Sequence, residues 1–243
     1  MKVFLPSLLW VANAIAVAQG PVAPDLAPQT YKLLFENEKV RVIEERLKPH
    51  EKEPMHSHPY GVLACFLTDA HFRTTFSDGK AAEGSQKAGD TVWRDPVTQA
   101  GENIGDTEID EIMIEPKSAS QGSGAMKVSA PLASAQMMSS EPMPTNLEPH
   151  HHLKYESQSI RILEVLLKPG EGSLFHTHSH DILYVTLADA TARAQEQGED
   201  WGPETAFKAG TVSLDHASKK NHTHRLNNVG HTMFHTINIE FLP

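Results

Sequence analysis

The chain has 243 residues, with 21 Lys and Arg against 31 Asp and Glu, 15 His and a single Cys. That length fits one large domain or two of roughly 100 residues each. A net charge of -10 without a basic cluster argues against a nucleic-acid partner. One Cys excludes an internal disulfide framework and a zinc site built from four cysteines.

In chain order, the first feature is a leader. Lys2 precedes an apolar stretch from Val3 to Ala18 that closes on Ala16-Val17-Ala18. One positive charge, a short apolar core and a small-x-small end predict a secretory signal peptide over residues 1–18, cut after Ala18. The stretch is shorter than the roughly 20 residues needed to span a bilayer and contains Pro6 and Asn13. The expectation is therefore a periplasmic or extracellular protein with no membrane association after cleavage.

Beyond the leader the sequence repeats itself. Residues 39–70 align with residues 159–190 at a constant offset of 120, and 12 of these 32 positions are identical, from Arg41/Arg161 to Ala70/Ala190. Lys87-Ala88-Gly89 then matches Lys208-Ala209-Gly210, and Asn103-Ile104-Gly105 matches Asn228-Val229-Gly230. A period this long means a duplicated domain, not a solenoid unit.

Each copy reads as β. Val40-Arg41-Val42 and Ile160-Arg161-Ile162 open alternating stretches, and Val62–Leu67 and Ile182–Leu187 are apolar runs of strand length. Pro and Gly interrupt both copies at short intervals, which predicts an all-β sandwich or barrel in each. Cys65 falls inside the apolar run of the first copy and is read as a buried, inert thiol. Residues 117–150, rich in Ser, Ala, Met and Pro, read as a mobile linker, and His150-His151-His152 as its solvated end. Met137, Met138 and Met143 are candidates to dock on a barrel surface.

The second copy carries the sharper chemical signal. His176 and His178 precede the strand Ile182–Leu187, and side chains at i and i+2 of a strand share a face. Asp181 follows, and His224 comes on a later strand able to face the pair. Two or three neutral imidazoles with one carboxylate suit a divalent metal such as Fe, Mn, Zn or Ni, with open positions for chemistry. Tyr184 is a candidate hydrogen-bond donor to a substrate.

The spacing Gly170-x5-His176-x-His178, then Asp181, Gly210 and His224-x3-Asn228, resembles the two motifs of the cupin superfamily. The resemblance spans residues 31–116 and 151–243. It implies two jelly-roll barrels in tandem, a bicupin, in which His176, His178, Asp181 and His224 are the metal ligands. Asp181 stands where the family has a Glu and sits slightly early, so a three-His site or one that includes His180 stays open. In the first copy His56 and His58 repeat the first motif, but the last metal His falls on Gln99 and no carboxylate follows at the family's distance. Glu102 and His71 are the residues at hand to compensate. His56, His58 and Gln99 therefore make at most a weak second metal site.

Among cupins the resemblance favours a metal-dependent oxidoreductase of the dioxygenase kind, acting on a small molecule, over an isomerase or lyase. The alternative is a non-catalytic module that binds a metal or a small ligand, with the first copy serving packing or homodimer formation. A serine or cysteine hydrolase lacks support, because no Gly-x-Ser-x-Gly elbow is present.

Overall fold

The computed structural model describes residues 27–117 and 141–243. The expected leader at 1–18 and most of the expected linker, with Met137 and Met138, lie outside these residues. Among the described residues no helix is long and apolar enough to cross a membrane.

The first copy folds into nine strands: β1 Tyr31–Glu36, β2 Val40–Leu47, β3 His56–His58, β4 Val62–Phe66, β5 Ala70–Phe76, β6 Ala81–Gln86, β7 Thr91–Arg94, β8 Val97–Asn103 and β9 Ile109–Pro116. They form a five-stranded sheet, β1-β2-β9-β4-β7, facing a four-stranded sheet, β3-β8-β5-β6. The second copy has β10 Met143–Pro144, β11 His151–Glu156, β12 Ile160–Leu167, β13 His176–His178, β14 Ile182–Thr186, β15 Ala190–Glu196, β16 Thr205–Phe207, β17 Val212–Asp215, β18 His222–Asn228 and β19 Phe234–Phe241. Its sheets repeat the same order, β11-β12-β19-β14-β17 against β10-β13-β18-β15-β16. Two tandem β-barrels of jelly-roll type result, as expected. The linker reading extends too far: Met143–Pro144 pairs in parallel with β13, and Thr145–Leu147 forms a 3-10 turn beside it. These residues belong to the second barrel.

β4, VLACF, and its counterpart β14, ILYVT, are largely apolar because both of their faces are buried. In β4, Val62, Ala64 and Phe66 point into the first barrel, while Leu63 and Cys65 point the other way. In β14, Leu183 and Val185 do the same. These outward residues join Val40, Val42, Ile112, Ile114, Ile160, Ile162, Ile237 and Ile239 in one buried cluster, so the two five-stranded sheets pack face to face. Trp93 stacks on Tyr155 at 5.1 Å between ring centroids, and Phe35 on Phe241 at 6.2 Å, across that interface. Cys65 is fully buried there, and burial pushes its thiol pKa well up, which keeps it protonated and inert.

Several repeated residues prove structural. The Asn103 amide donates to the Leu47 and Thr107 carbonyls, both at 2.8 Å, and accepts the Gly105 N–H at 2.9 Å. Asn228 makes the same three bonds to Leu167, Thr232 and Gly230. Asp69 accepts from Lys87 and the Ala88 N–H, and Asp189 from Lys208 and the Ala209 N–H. The repeated Lys-Ala-Gly and Asn-x-Gly are thus turn clamps, each satisfying polar groups at a strand end.

Candidate metal centre in the second barrel

Alternation along β13 and β18 turns His176, His178, His222 and His224 toward the interior of the second barrel, with His176 opposite His224 and His178 opposite His222 in register. A further imidazole arrives from β11. His151 is buried against the same group, its ring centroid 4.6 Å from that of His176. The ligand atoms of His151, His176 and His178 lie within 4.8 Å of one another. His224 closes the set, its ring centroid 4.8 Å from His176 and 5.1 Å from His178.

The tautomers follow from the partners. His176 Nδ1 must donate to the Leu174 carbonyl, 2.9 Å away. His151 Nδ1 must donate to the Glu148 carboxylate at 2.6 Å. Thr145 gives its own hydrogen to the Thr177 carbonyl at 2.9 Å, so His178 Nδ1 donates to the Thr145 hydroxyl at 3.1 Å. A neutral imidazole carries one N–H, and in each of these three rings it is spent on Nδ1. Their Nε2 atoms are bare lone pairs, yet His176 Nε2 and His178 Nε2 stand 3.1 Å apart. Without a proton between them that contact repels. A cation about 2.0–2.1 Å from each nitrogen would separate neighbouring ligands by roughly 3.0–3.4 Å and turn repulsion into coordination. The donor set therefore fits a divalent metal.

Electrostatics agree. Burial, and then the neighbouring His151, pushes the His176 pKa down to about 3. Burial and the His176 ring push His224 down to about 2, and the same two causes lower His178. Neutral imidazoles with free lone pairs are the metal-binding form. Burial raises the Glu148 pKa, but the hydrogen bonds from His150 and His151 outweigh it and hold that carboxylate ionised. Glu148 thereby fixes the His151 ring through the nitrogen that does not face the cluster.

Asp181, expected as the carboxylate ligand, is not part of this group. Ile182 and Tyr184 face inward, so the parity of the strand sends Asp181 outward. Its carboxylate accepts from the Ser218 N–H and hydroxyl and pairs with His216 Nδ1 at 2.9 Å. Those bonds, Ser218 first, lower its pKa to about 2. The place beside the three imidazoles is taken instead by His151, which the linker-end reading sets in solvent. The missed signal lay in the repeat: carried upstream at the same offset, it sets His151 against Tyr31, the first residue of β1. His180 joins neither group of metal-type ligands found among the described residues. His231 is exposed, and His235 faces Glu164 at 2.9 Å on the side away from the barrel interior.

Beside the imidazoles lies a cavity of about 450 Å³. Its wall is largely apolar, with Val165, Ala194, Phe207, Leu226 and Phe234, and Tyr184, Thr186, Thr236 and Asn238 supply polar groups. Burial raises the Tyr184 pKa, so its hydroxyl stays a donor.

The first barrel brings His56 and His58 together, Nε2 to Nε2 at 2.9 Å, and sets Gln99 opposite His56. No third imidazole joins them. The Tyr31 hydroxyl takes that place, 3.4 Å from His56 Nε2 and hydrogen-bonded to Glu53. Glu102 is turned to Arg73 and Lys52 instead, and His71 lies on β5, outside the pair. The interior is packed by Phe66, Phe72, Glu45, Glu53, Glu111 and Arg94, which leave about 30 Å³. Both groups of three metal-type ligands among the described residues lie in the second barrel.

No family model matches the sequence, and no curated protein matches it. Solved structures do. AerE from Microcystis aeruginosa is 13% identical, with a TM-score of 0.52 over 93% of this chain and 99% of that one. A cupin 2 conserved barrel domain protein from Leptotrichia buccalis is 10% identical, with a TM-score of 0.51 over 87% and 88%. A variant of oxalate decarboxylase from Bacillus subtilis is 14% identical, with a TM-score of 0.49 over 92% and 74%. With its two stacked jelly rolls and a paired-histidine strand in each, the chain has the tandem cupin fold, the bicupin.

Proposed function

We propose that the chain is a secreted metal-dependent enzyme that acts on a small molecule in its second barrel. The observation that carries this reading is the convergence of bare Nε2 lone pairs at the wall of a cavity large enough for a substrate. His151, His176, His178 and His224 would hold the ion. When bound, a divalent ion such as Fe, Mn, Zn or Ni supplies Lewis acidity toward a substrate oxygen or a site for dioxygen. The residues of the chain do the rest. Glu148, Thr145 and the Leu174 carbonyl fix the rings, the apolar walls exclude water, and the Tyr184 hydroxyl donates to a substrate oxygen. Among reactions, oxygen-dependent oxidation of the dioxygenase kind is favoured by the cupin resemblance over isomerisation or lysis. Secretion rests on the leader pattern at residues 1–18.

One observation favours the non-catalytic alternative. Four imidazoles are enough to close a tetrahedral site, as structural metals require, whereas a catalytic site keeps a position open. The deciding measurement starts with elemental analysis after reconstitution. The enzyme reading expects one tightly held metal per chain, lost in His178→Ala and kept in His58→Ala. Azide should then perturb the visible spectrum of the Co(II) form, as an open position allows. A Co(II) spectrum indifferent to azide would leave a metal-binding module, and no metal at all would end the enzyme reading and leave a module that binds a small ligand.

A further inference from the structure

We propose a second divalent-cation site at the mouth of the second barrel, formed by the Glu196 carboxylate and His222 Nε2, with Asp215 orienting the imidazole. Three strand ends meet there: the last residue of β15, the last of β17 and the first of β18. His222 Nδ1 faces Asp215 at 3.1 Å, and its Nε2 faces Glu196 Oε1 at 2.7 Å. A carboxylate on one ring nitrogen, which leaves the other nitrogen to a cation, is the arrangement that orients histidine ligands in metal sites. The ligand atoms of Glu196, His222 and His224 lie within 4.8 Å of one another. The His222 ring centroid is 4.2 Å from that of His224 and 6.0 Å from that of His178, so the site adjoins the inner cluster.

Charge points the same way. Among the described residues neither Glu196 nor Asp215 is paired with a lysine or arginine; each meets only His222. With a neutral imidazole the group carries two uncompensated negative charges, which one divalent ion would balance. Glu196 and His222 are partly exposed, so the ion would keep several waters and exchange readily.

The first barrel serves as an internal control. In equivalent register, Glu196 corresponds to Phe76, each facing the last motif residue, His224 or Gln99. His222 corresponds to Val97, and Asp215 to Arg94. All three positions are metal-type or acidic in the barrel that collects the inner imidazoles, and none is in the barrel that does not.

The competing account is an imidazolium that donates from both nitrogens to two carboxylates, with no cation. Equilibrium dialysis of the metal-free full chain against Zn(II), read by elemental analysis, separates the two. The expected result is two equivalents per chain, the second weaker. Glu196→Gln should leave one equivalent. Asp215→Asn should weaken the second by about 10–100-fold, as loss of an orienting carboxylate does elsewhere. His178→Ala should weaken the first and spare the second. Saturation of the wild type at one equivalent, or a second equivalent untouched by both mouth variants, would overturn the site.

Discussion

The two barrels share a frame and differ in what fills it. Strand order, the buried Asn clamp and the paired histidines recur, yet one interior leaves about 30 Å³ and the other about 450 Å³. The difference comes from a few inward positions. Where the second barrel has Val165, Thr186, Ala192 and Thr236, the first has Glu45, Phe66, Phe72 and Glu111. Arg94 binds both Glu111 oxygens, at 2.9 and 3.0 Å, and lies over the Phe66 and Phe72 rings. Charge is thus buried in the first barrel with its partner beside it, and the packing is solid.

One backbone group shows how small the switch is. The Gly101 N–H donates to Glu53 at 2.7 Å, and the Leu226 N–H, its counterpart, donates to Ser173 at 2.9 Å. Both satisfy the same orphan donor. The serine stops there, whereas the glutamate reaches on to Tyr31, beside His56. A Cβ at Gly101 would run into the Glu53 carboxyl and push it off this N–H. A protonatable chain in one barrel stands where the other has the His151 imidazole.

The largest expected contrast is in pH dependence. Burial pushes the Glu53 pKa from 4.5 up to about 8, against a smaller opposing effect of the Gly101 hydrogen bond. Burial and the neighbouring Glu111 also raise Glu45. Between pH 4.5 and 8 the folded chain therefore holds a proton at Glu53 that the unfolded chain has lost. Stability from this group is full below about pH 4.5, falls as pH rises, and is gone above about 8. The move from 4.5 to about 8 corresponds to roughly 5 kcal/mol at its upper bound. The buried neutral histidines of the metal-free chain gain stability over pH 5–7, so the Glu53 effect is read as a difference: the stability of the wild type minus that of Glu53→Gln, from urea unfolding at pH 5, 7 and 9, should fall as pH rises. A difference that does not change with pH would count against this role for Glu53.

The next contrast concerns His151, the imidazole proposed to hold the metal in place of the expected carboxylate. His151→Tyr copies the first barrel into the second and should weaken the tight metal by more than about 100-fold, beyond the range seen for lost orienting groups. His152→Tyr, on the opposite face of the same strand, should leave the affinity within about twofold, because its side chain is exposed. Dialysis with a competing chelator measures both. Equal losses would show that β11 does not set the parity described here.

How much of this was legible in sequence follows from where the information sits. The duplication, the β character and His176, His178 and His224 could be read because motif and repeat lie in continuous segments. Asp181 was misassigned because proximity in sequence outweighed strand parity, which only the pairing of β14 fixes. His151 was missed because three adjacent histidines after a Ser- and Pro-rich stretch look solvated until pairing with β12 turns the middle one inward. The cluster of Glu45, Glu111 and Arg94 was invisible, since its members come from β2, β9 and β7 and meet only across the closed barrel.

The smallest contrast is in a turn. Gly170 takes a φ of +83°, and its counterpart His50 takes +62°, the one non-glycine residue among those described with a positive φ. A side chain in the left-handed region costs about 1–2 kcal/mol through contact of Cβ with the carbonyl oxygen. Glycine removes that cost but surrenders about 0.5–1 kcal/mol to its freer unfolded chain. His50 is exposed and its approach to Asp106, at 3.5 Å, is solvated, so little else is lost. His50→Gly should therefore stabilise the chain by up to about 1 kcal/mol, whereas Gly170→His should destabilise it by a similar amount. Urea midpoints of the two variants at fixed pH test the pair together. If both move the same way, the two turns are not equivalent and the repeat does not extend through this corner.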